Sequence, residues 1–237
     1  MSSDITVHSS SYQVDNRAWL IGTHGVDITP GITLDISKFN PANVNEVQTV
    51  TISATGGTFT LTCSGQTTTA IAWNAAATAV QSALEALSNI AVGDVSVAGA
   101  NGGPYTVTFG GALGNQNVAA LTGSGASLTG GAGTVTIATT TAGVTGHYVN
   151  GYIPSGFPLG KITATGLYGP YDDTANDGRQ TCKGLLFSFL RAVNPTTGQA
   201  LAKIGGALFV HGLVNEAKLP FAVDANGKAD LSQIIWL

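Results

Sequence analysis

Between Val47 and Gly146 the chain has no lysine or arginine, and its only acids there are Glu85 and Asp94. The nine basic residues fall at Arg17, at Lys38, or from Lys161 onward. So sharp a shift in composition marks a separate module. We therefore read residues 1–45 and 147–237 as one domain and residues 46–146 as a second domain inserted into it. An exposed loop tip is where a chain tolerates such an insertion.

The inserted stretch is patterned for β-structure. VQTVTIS (47–53) and TFTLTCS (58–64) alternate apolar residues with Thr and Ser, as half-buried strands do. Gly56-Gly57 between them supplies the positive-φ turn of a hairpin. DVSVAG (94–99) and YTVTFGG (105–111) form a second pair around Ala100–Pro104. Between the pairs, NAAATAVQSALEALSNI (74–90) places Val80, Leu84 and Leu87 at helical spacing, with Asn74 as the expected N-cap. The order is strand–strand–helix–strand–strand, with a last strand near 134–139 and a loose Gly/Ala/Ser stretch over 110–133.

The outer domain opens on an extended arm, residues 1–20, with no helical or strand period. Ile5, Val7, Tyr12, Val14 and Trp19 are its apolar anchors. ITPGITLDISKF (28–39) reads as a turn and a strand. Short strands follow the insert in YIPSGFPLGKITATG, KGLLFSFLRAV and AKIGGALFVHGLV, and ADLSQIIW (229–236) is expected to be a short helix with Asp230 near its start. The fold class is mainly β with short helices (α+β).

Composition narrows the function. Charged residues are 9% of the chain, against about 25% in an average protein, so the surface must be built from Thr, Ser, Asn and Gly. The net charge is −4, which gives nucleic acid no basic footprint. No apolar run approaches the ~20 residues that span a bilayer, and MSSDITVHSSSYQ has neither the basic nor the apolar region of a signal peptide. The expected partners therefore include no nucleic acid and no membrane. Cys63 and Cys182 form neither a disulfide framework nor a zinc pattern and read as buried thiols.

One stretch invites chemistry. GLYGPYDDTANDGRQTCKGLLF (166–187) sets Asp172, Asp173 and Asp177 within six residues. As a calcium loop it lacks the chelating Glu: position twelve is Gly184 counted from Asp173 and Lys183 counted from Asp172. The adjacent Asp172-Asp173 pair has no cleft pattern around it. It reads as a polar turn in which Asp and Asn bond their own backbone. His8, His24, His147 and His211 are scattered, with no acid or Cys at ligand spacing. Trp73, Tyr105 and Phe109 are either core residues or a sugar-stacking face. No catalytic residue, metal site or cofactor is expected, and the chain does not read as an enzyme.

GFPLGKITATGLYGPYDDTANDGRQTCKGLLFSF, followed by ALFVHGLVNEAKLP, resembles the head decoration protein family of tailed phages, the group typified by the lambda capsid-stabilising protein. The features that carry the resemblance are Pro158-Leu159, Lys161–Thr165, Asp177-Gly178, Cys182–Leu186, Ala207–Gly212 and Leu219-Pro220. They cover about the last ninety residues. The resemblance implies a small β-rich domain that trimerises on local three-fold sites of the expanded shell, on the outer surface of the capsid. It also implies that the major capsid protein is the partner and that the arm lies extended against it. Pro158, Leu159, Leu185, Leu186, Phe209 and Pro220 would then form the core and trimer contacts. The inserted stretch is absent from the lambda-type protein. It is similar to modules in virion proteins of phages of actinobacteria and is expected to project outward. The alternative is an adhesin that binds a host surface or a glycan through residues 46–146.

Overall fold

The computed structural model describes residues 15–22, 24–148 and 150–237. Ile5, Val7, Tyr12 and Val14 lie outside the described residues. The chain divides into two units: residues 1–39 with 150–237, and residues 40–149.

In chain order the strands are β1 (Gly31–Asp35), β2 (Val47–Ser53), β3 (Gly56–Cys63), β4 (Gln66–Thr67), β5 (Ile71–Ala72), β6 (Val95–Gly99), β7 (Tyr105–Phe109), β8 (Thr122–Thr129) and β9 (Thr134–Thr141). They continue as β10 (Tyr152–Ile153), β11 (Pro158–Lys161), β12 (Tyr168–Pro170), β13 (Cys182–Leu186), β14 (Leu190–Arg191), β15 (Lys203–Phe209), β16 (Gly212–Val214) and β17 (Ile234–Trp236). The helices are α1 (Ala77–Glu85) and α2 (Ala225–Asp230). The architecture is mainly β with short helices.

The outer unit is built on a closed five-stranded barrel, ordered β1-β12-β11-β13-β15. Closure removes the free edges that short strands would otherwise expose. β15 returns to β1 in antiparallel register from Gly31↔Ala207 to Asp35↔Lys203, and β1 meets β12 in parallel. Leu34, Leu159, Leu185, Leu186 and Phe209 are fully buried. Trp19 joins them at 1% exposure. Its ring meets Phe209 edge-on at 5.2 Å, and its indole N–H donates to Ser155 Oγ at 2.9 Å.

The expected C-terminal helix is corrected here. The helix lies earlier, over Ala225–Asp230, and Asp224 caps it by accepting the Gly227 N–H at 2.7 Å. Asp230 is its last residue. IIW is strand β17, which pairs in parallel with β16 from Gly212↔Ile234 to Val214↔Trp236. An apolar run of this length suits strand or helix equally. A partner edge at β16 and an Asp with a free N–H to accept settle the choice.

The second unit holds two sheets with α1 packed among them. One sheet is ordered β6-β7-β2-β9; in the other β3 pairs with β4, β5 and β8. Alternation does what the sequence implied: Phe59, Leu61 and Cys63 from β3, and Tyr105, Val107 and Phe109 from β7, all point into one core with Val80, Leu84 and Leu87. Pairing does not follow the expectation. β2 and β3 are not a hairpin. β2 is flanked by β7 and β9, while β3 takes β8 and β5. A period of two shows that a strand buries one face, and it leaves the partner edges open. The β6–β7 pair does form, in register Val97↔Val107. The stretch expected to be loose contains β8, and the helix N-cap is Ala76, with no side-chain cap bond, rather than Asn74.

Candidate functional site

The acidic loop is a closed set of internal bonds. Asp172 accepts from its own neighbour Thr174, at 3.0 Å from the backbone N–H and 2.6 Å from the hydroxyl. Asp173 accepts from Asn226 Nδ2 at 2.9 Å. Asp177 accepts both the Arg179 backbone N–H, at 3.2 Å, and its Nε–H, at 3.1 Å, with Lys38 Nζ 4.0 Å away. Partial desolvation works against the Asp177 charge, but the Arg179 bonds and the two cations outweigh it and lower its pKa. Arg179 also donates to the Pro170 carbonyl at 3.1 Å, which ties the loop to the barrel.

Gly178 makes the turn possible. Its φ is +108°, and a Cβ there would sit 2.5 Å from the Lys161 carbonyl oxygen. The loop therefore folds back onto the end of β11, and the Thr163 N–H donates to the Asp177 carbonyl at 2.9 Å. Each acid is engaged by a neighbour, and Asp172 and Asp173 bond different partners rather than sharing a proton. The arrangement is a rigid polar turn on the barrel.

Beside it, the Asp224 carboxylate links two groups. It accepts the Gly227 N–H and the Tyr171 hydroxyl, the latter at 2.8 Å. Those bonds lower its pKa. Burial, and then the bond to Asp224, raise that of Tyr171. Cys182, buried under the loop, has its thiol pushed up to about 12, chiefly by burial.

The second unit uses its acids in another way. Residues 40–149 contain three acids and no lysine or arginine, and all three acids accept backbone N–H groups. Glu46 accepts from Val118 at 2.7 Å, Glu85 from Gly93 at 3.0 Å, and Asp94 from Ala91 and Ala112 at 2.9 and 2.8 Å. Glu46 and Gln48 are fully buried and bonded to each other at 2.5 Å. Gln48 also accepts the Leu121 N–H at 2.8 Å. These side chains fasten the 118–121 segment to β2, and the outside of the unit is left to Thr, Ser, Gly, Asn and Ala. Sequence reasoning missed this role. The one signal was that the few charges in a charge-poor module stood beside turns.

The structure brings some of the residues singled out from sequence together in the barrel and gives others different roles. Trp19, expected as a partner anchor, is corrected to a core residue: its side chain is enclosed by Phe209 and Ser155 and offers nothing to a partner. Pro158, Leu159, Leu185, Leu186 and Phe209 are all buried, whereas Pro220 is exposed. Tyr105 and Phe109 are fully buried, and the Tyr105 hydroxyl donates to the Ala75 carbonyl at 2.6 Å. A stacking face of Trp73, Tyr105 and Phe109 therefore does not exist. The sequence features that carried the decoration-protein resemblance fall in one unit. Pro158–Lys161 is β11, Cys182–Leu186 is β13, and Ala207–Phe209 ends β15. Leu219-Pro220 follows a single 3-10 turn, Glu216–Lys218.

No protein-family profile matches the chain. Over 77 residues, 32% of its length, the chain is 47% identical to the tail sheath protein of Mycobacterium phage Bxz1. That stretch is 12% of the relative's own length. A solved structure from Mycobacterium phage Patience is 22% identical, with a TM-score of 0.32. It covers 63% of this chain, which spans 54% of that one. Over one segment, then, the chain is similar to a structural component of a mycobacteriophage particle.

Proposed function

We propose that this chain is a non-enzymatic structural protein of a phage virion, and that its barrel unit is a capsid decoration domain. In this reading it binds the assembled, expanded shell at local three-fold sites as a trimer, on the outer surface, against the major capsid protein. The observation that carries the reading is the placement of the resemblance. Three separated sequence features of the decoration-family resemblance, Pro158-Leu159, Cys182–Leu186 and Ala207–Phe209, lie on strands of one closed barrel. The 77-residue identity to a tail sheath protein supports the broader statement that the chain belongs to a virion.

The mechanism is mass action. A protein that binds only the expanded shell stabilises it by RT ln(1 + [L]/Kd) at each site. Three linked copies raise the effective concentration of every weak contact. In this reading apolar residues of the arm 1–20 that precede Trp19, such as Ile5 and Val7, contact the capsid protein.

A second reading places the chain on the tail, and the match to a sheath protein favours it. One experiment separates the two. Virions are labelled on residues 40–149 and imaged, and heads lacking the protein are titrated with purified chain. Labels over the head, saturable binding and a raised head melting temperature support decoration. Labels confined to the tail overturn it. Deletion of residues 1–14 is expected to lower head occupancy, and unchanged occupancy would remove the arm from the mechanism.

A further inference from the structure

His24 and His211 are 187 residues apart in sequence, yet their Nε2 atoms lie 3.1 Å apart. The rings stand nearly perpendicular, at 86°, with centroids 4.7 Å apart. Both belong to the barrel unit. His24 lies in the turn before β1 and His211 in the bend between β15 and β16.

The backbone imposes this meeting. Gly25 has a φ of +80° and Gly212 a φ of +136°. A Cβ on Gly25 would overlap the His211 carbonyl, and one on Gly212 would lie 2.6 Å from the His24 carbonyl oxygen. Each histidine is thus followed by a glycine whose bare Cα lets the other segment close in. The segments are held further by the Leu20↔Val214 bridge and by the Ile21 N–H, which donates to the Leu213 carbonyl at 3.0 Å.

The geometry points to a two-imidazole site for a divalent transition-metal ion of the zinc, copper or nickel class. Two ring nitrogens that ligate one ion at about 2.05 Å lie about 2.9 Å apart at a right angle and about 3.4 Å apart at the tetrahedral angle. The observed 3.1 Å falls between them. Each ring centre sits about 1.15 Å behind its nitrogen, so rings aimed at a shared ion with this nitrogen spacing have centroids about 4.8 Å apart. The centroids are 4.7 Å apart. A straight N–H···N hydrogen bond of the same length would hold them about 5.4 Å apart. The rings are therefore turned off the line of a straight hydrogen bond, and their spacing is the one that two ligands of a shared ion would take.

Imidazole selects borderline metals over calcium and magnesium, which take oxygen ligands. Among the described residues no group of three or more His, Cys, Asp or Glu is placed to share an ion, so the remaining positions belong to water or to a group from another molecule. Bound there, the ion fastens the chain before β1 to the end of β15.

Metal-free full-length chain is titrated with Zn2+ alone, and separately with Cu2+ alone, by calorimetry and by thermal melting. The variants are His24→Gln and His211→Gln; both sites reach solvent, and circular dichroism checks their folding. The expected result is one ion per chain, with affinity lowered tenfold or more in either variant and no further in the double variant. A saturating excess of Zn2+ raises the melting temperature by about 5–10 °C in the parent only. Bound Cu2+ shows nitrogen hyperfine structure in its electron spin resonance spectrum, and both variants lose part of it. Ca2+ has no effect, and His147→Gln binds as the parent does. Absence of binding, or binding that survives the double variant, overturns the site.

Discussion

Asn40 and His147 bond each other across 107 residues of sequence: the Asn40 N–H donates to His147 Nδ1 at 3.2 Å, and the Asn40 carbonyl accepts the His147 N–H at 2.7 Å. Further in, Val44 and Val144 exchange both backbone bonds, at 2.9 and 2.8 Å. The second unit thus closes on itself at its own ends. Residues 40–148, expressed alone, are expected to fold. The measurement is a cooperative thermal transition with dispersed amide resonances. A molten product would show that the unit depends on the barrel.

The Glu46–Gln48 pair is expected to be worth more than its single bond. Glu46→Leu leaves the Val118 N–H without its acceptor in a buried site, and leaves the Gln48 amide only the long contacts, 3.4 Å each, to the Val118 and Ala119 carbonyls. Each orphaned group costs about 1–3 kcal/mol. Urea unfolding of the variant should show a loss of about 2–4 kcal/mol, and a double-mutant cycle with Gln48→Leu should give a coupling of about 0.5–3 kcal/mol. Additive losses would mean that each side chain acts alone.

This pair marks where the sequence stopped being legible. The strands themselves could be read, because Thr alternating with Val, Phe and Leu over β2, β3 and β7 is a direct record of one buried face. The placement of charge marked residues 46–146 as a stretch of different composition. Strand pairing was not, since β2 and β3 are sequence neighbours but chose β9 and β8, and only core shape decides that. The acidic loop was legible as a turn because Asp-Gly and Asx patterns are local chemistry. Trp19 was misread because an extended segment with one large apolar residue looks the same whether that residue docks on its own barrel or on a partner. The His24–His211 meeting had no signal in spacing at all. It depends on two glycines that let distant backbones touch.

Both thiols are expected to be inert in the folded chain. Burial raises the pKa of Cys63 and pushes that of Cys182 up to about 12, and the thiolate is the reactive form. At pH 8, Ellman's reagent should release almost no colour from native protein and two equivalents after denaturation. One fast equivalent in native protein would locate an opening in one unit, and alkylation mapping would say which.

The Tyr171–Asp224 pair should erode from both ends of the pH scale. The folded pKa of Asp224 is depressed by the Gly227 N–H and then by the Tyr171 hydroxyl. Its contribution is therefore complete above the unfolded value, about 3.9, and is lost as pH falls through the folded value. Asp177 behaves likewise through Arg179. Tyr171 has the opposite sense. Its folded pKa is raised, by burial first and by Asp224 second, so its contribution is complete below the unfolded value, about 10, and fades as pH rises past it. Melting temperatures measured from pH 3 to 11 should fall at both ends. Asp224→Asn should flatten the acid limb, and Tyr171→Phe the alkaline one. Tyr171→Phe should also leave most of the acid limb in place, because Gly227 still donates to Asp224. If both variants track the parent at both extremes, the hydroxyl–carboxylate bond carries no net stability, and the pH sensitivity of the barrel lies elsewhere.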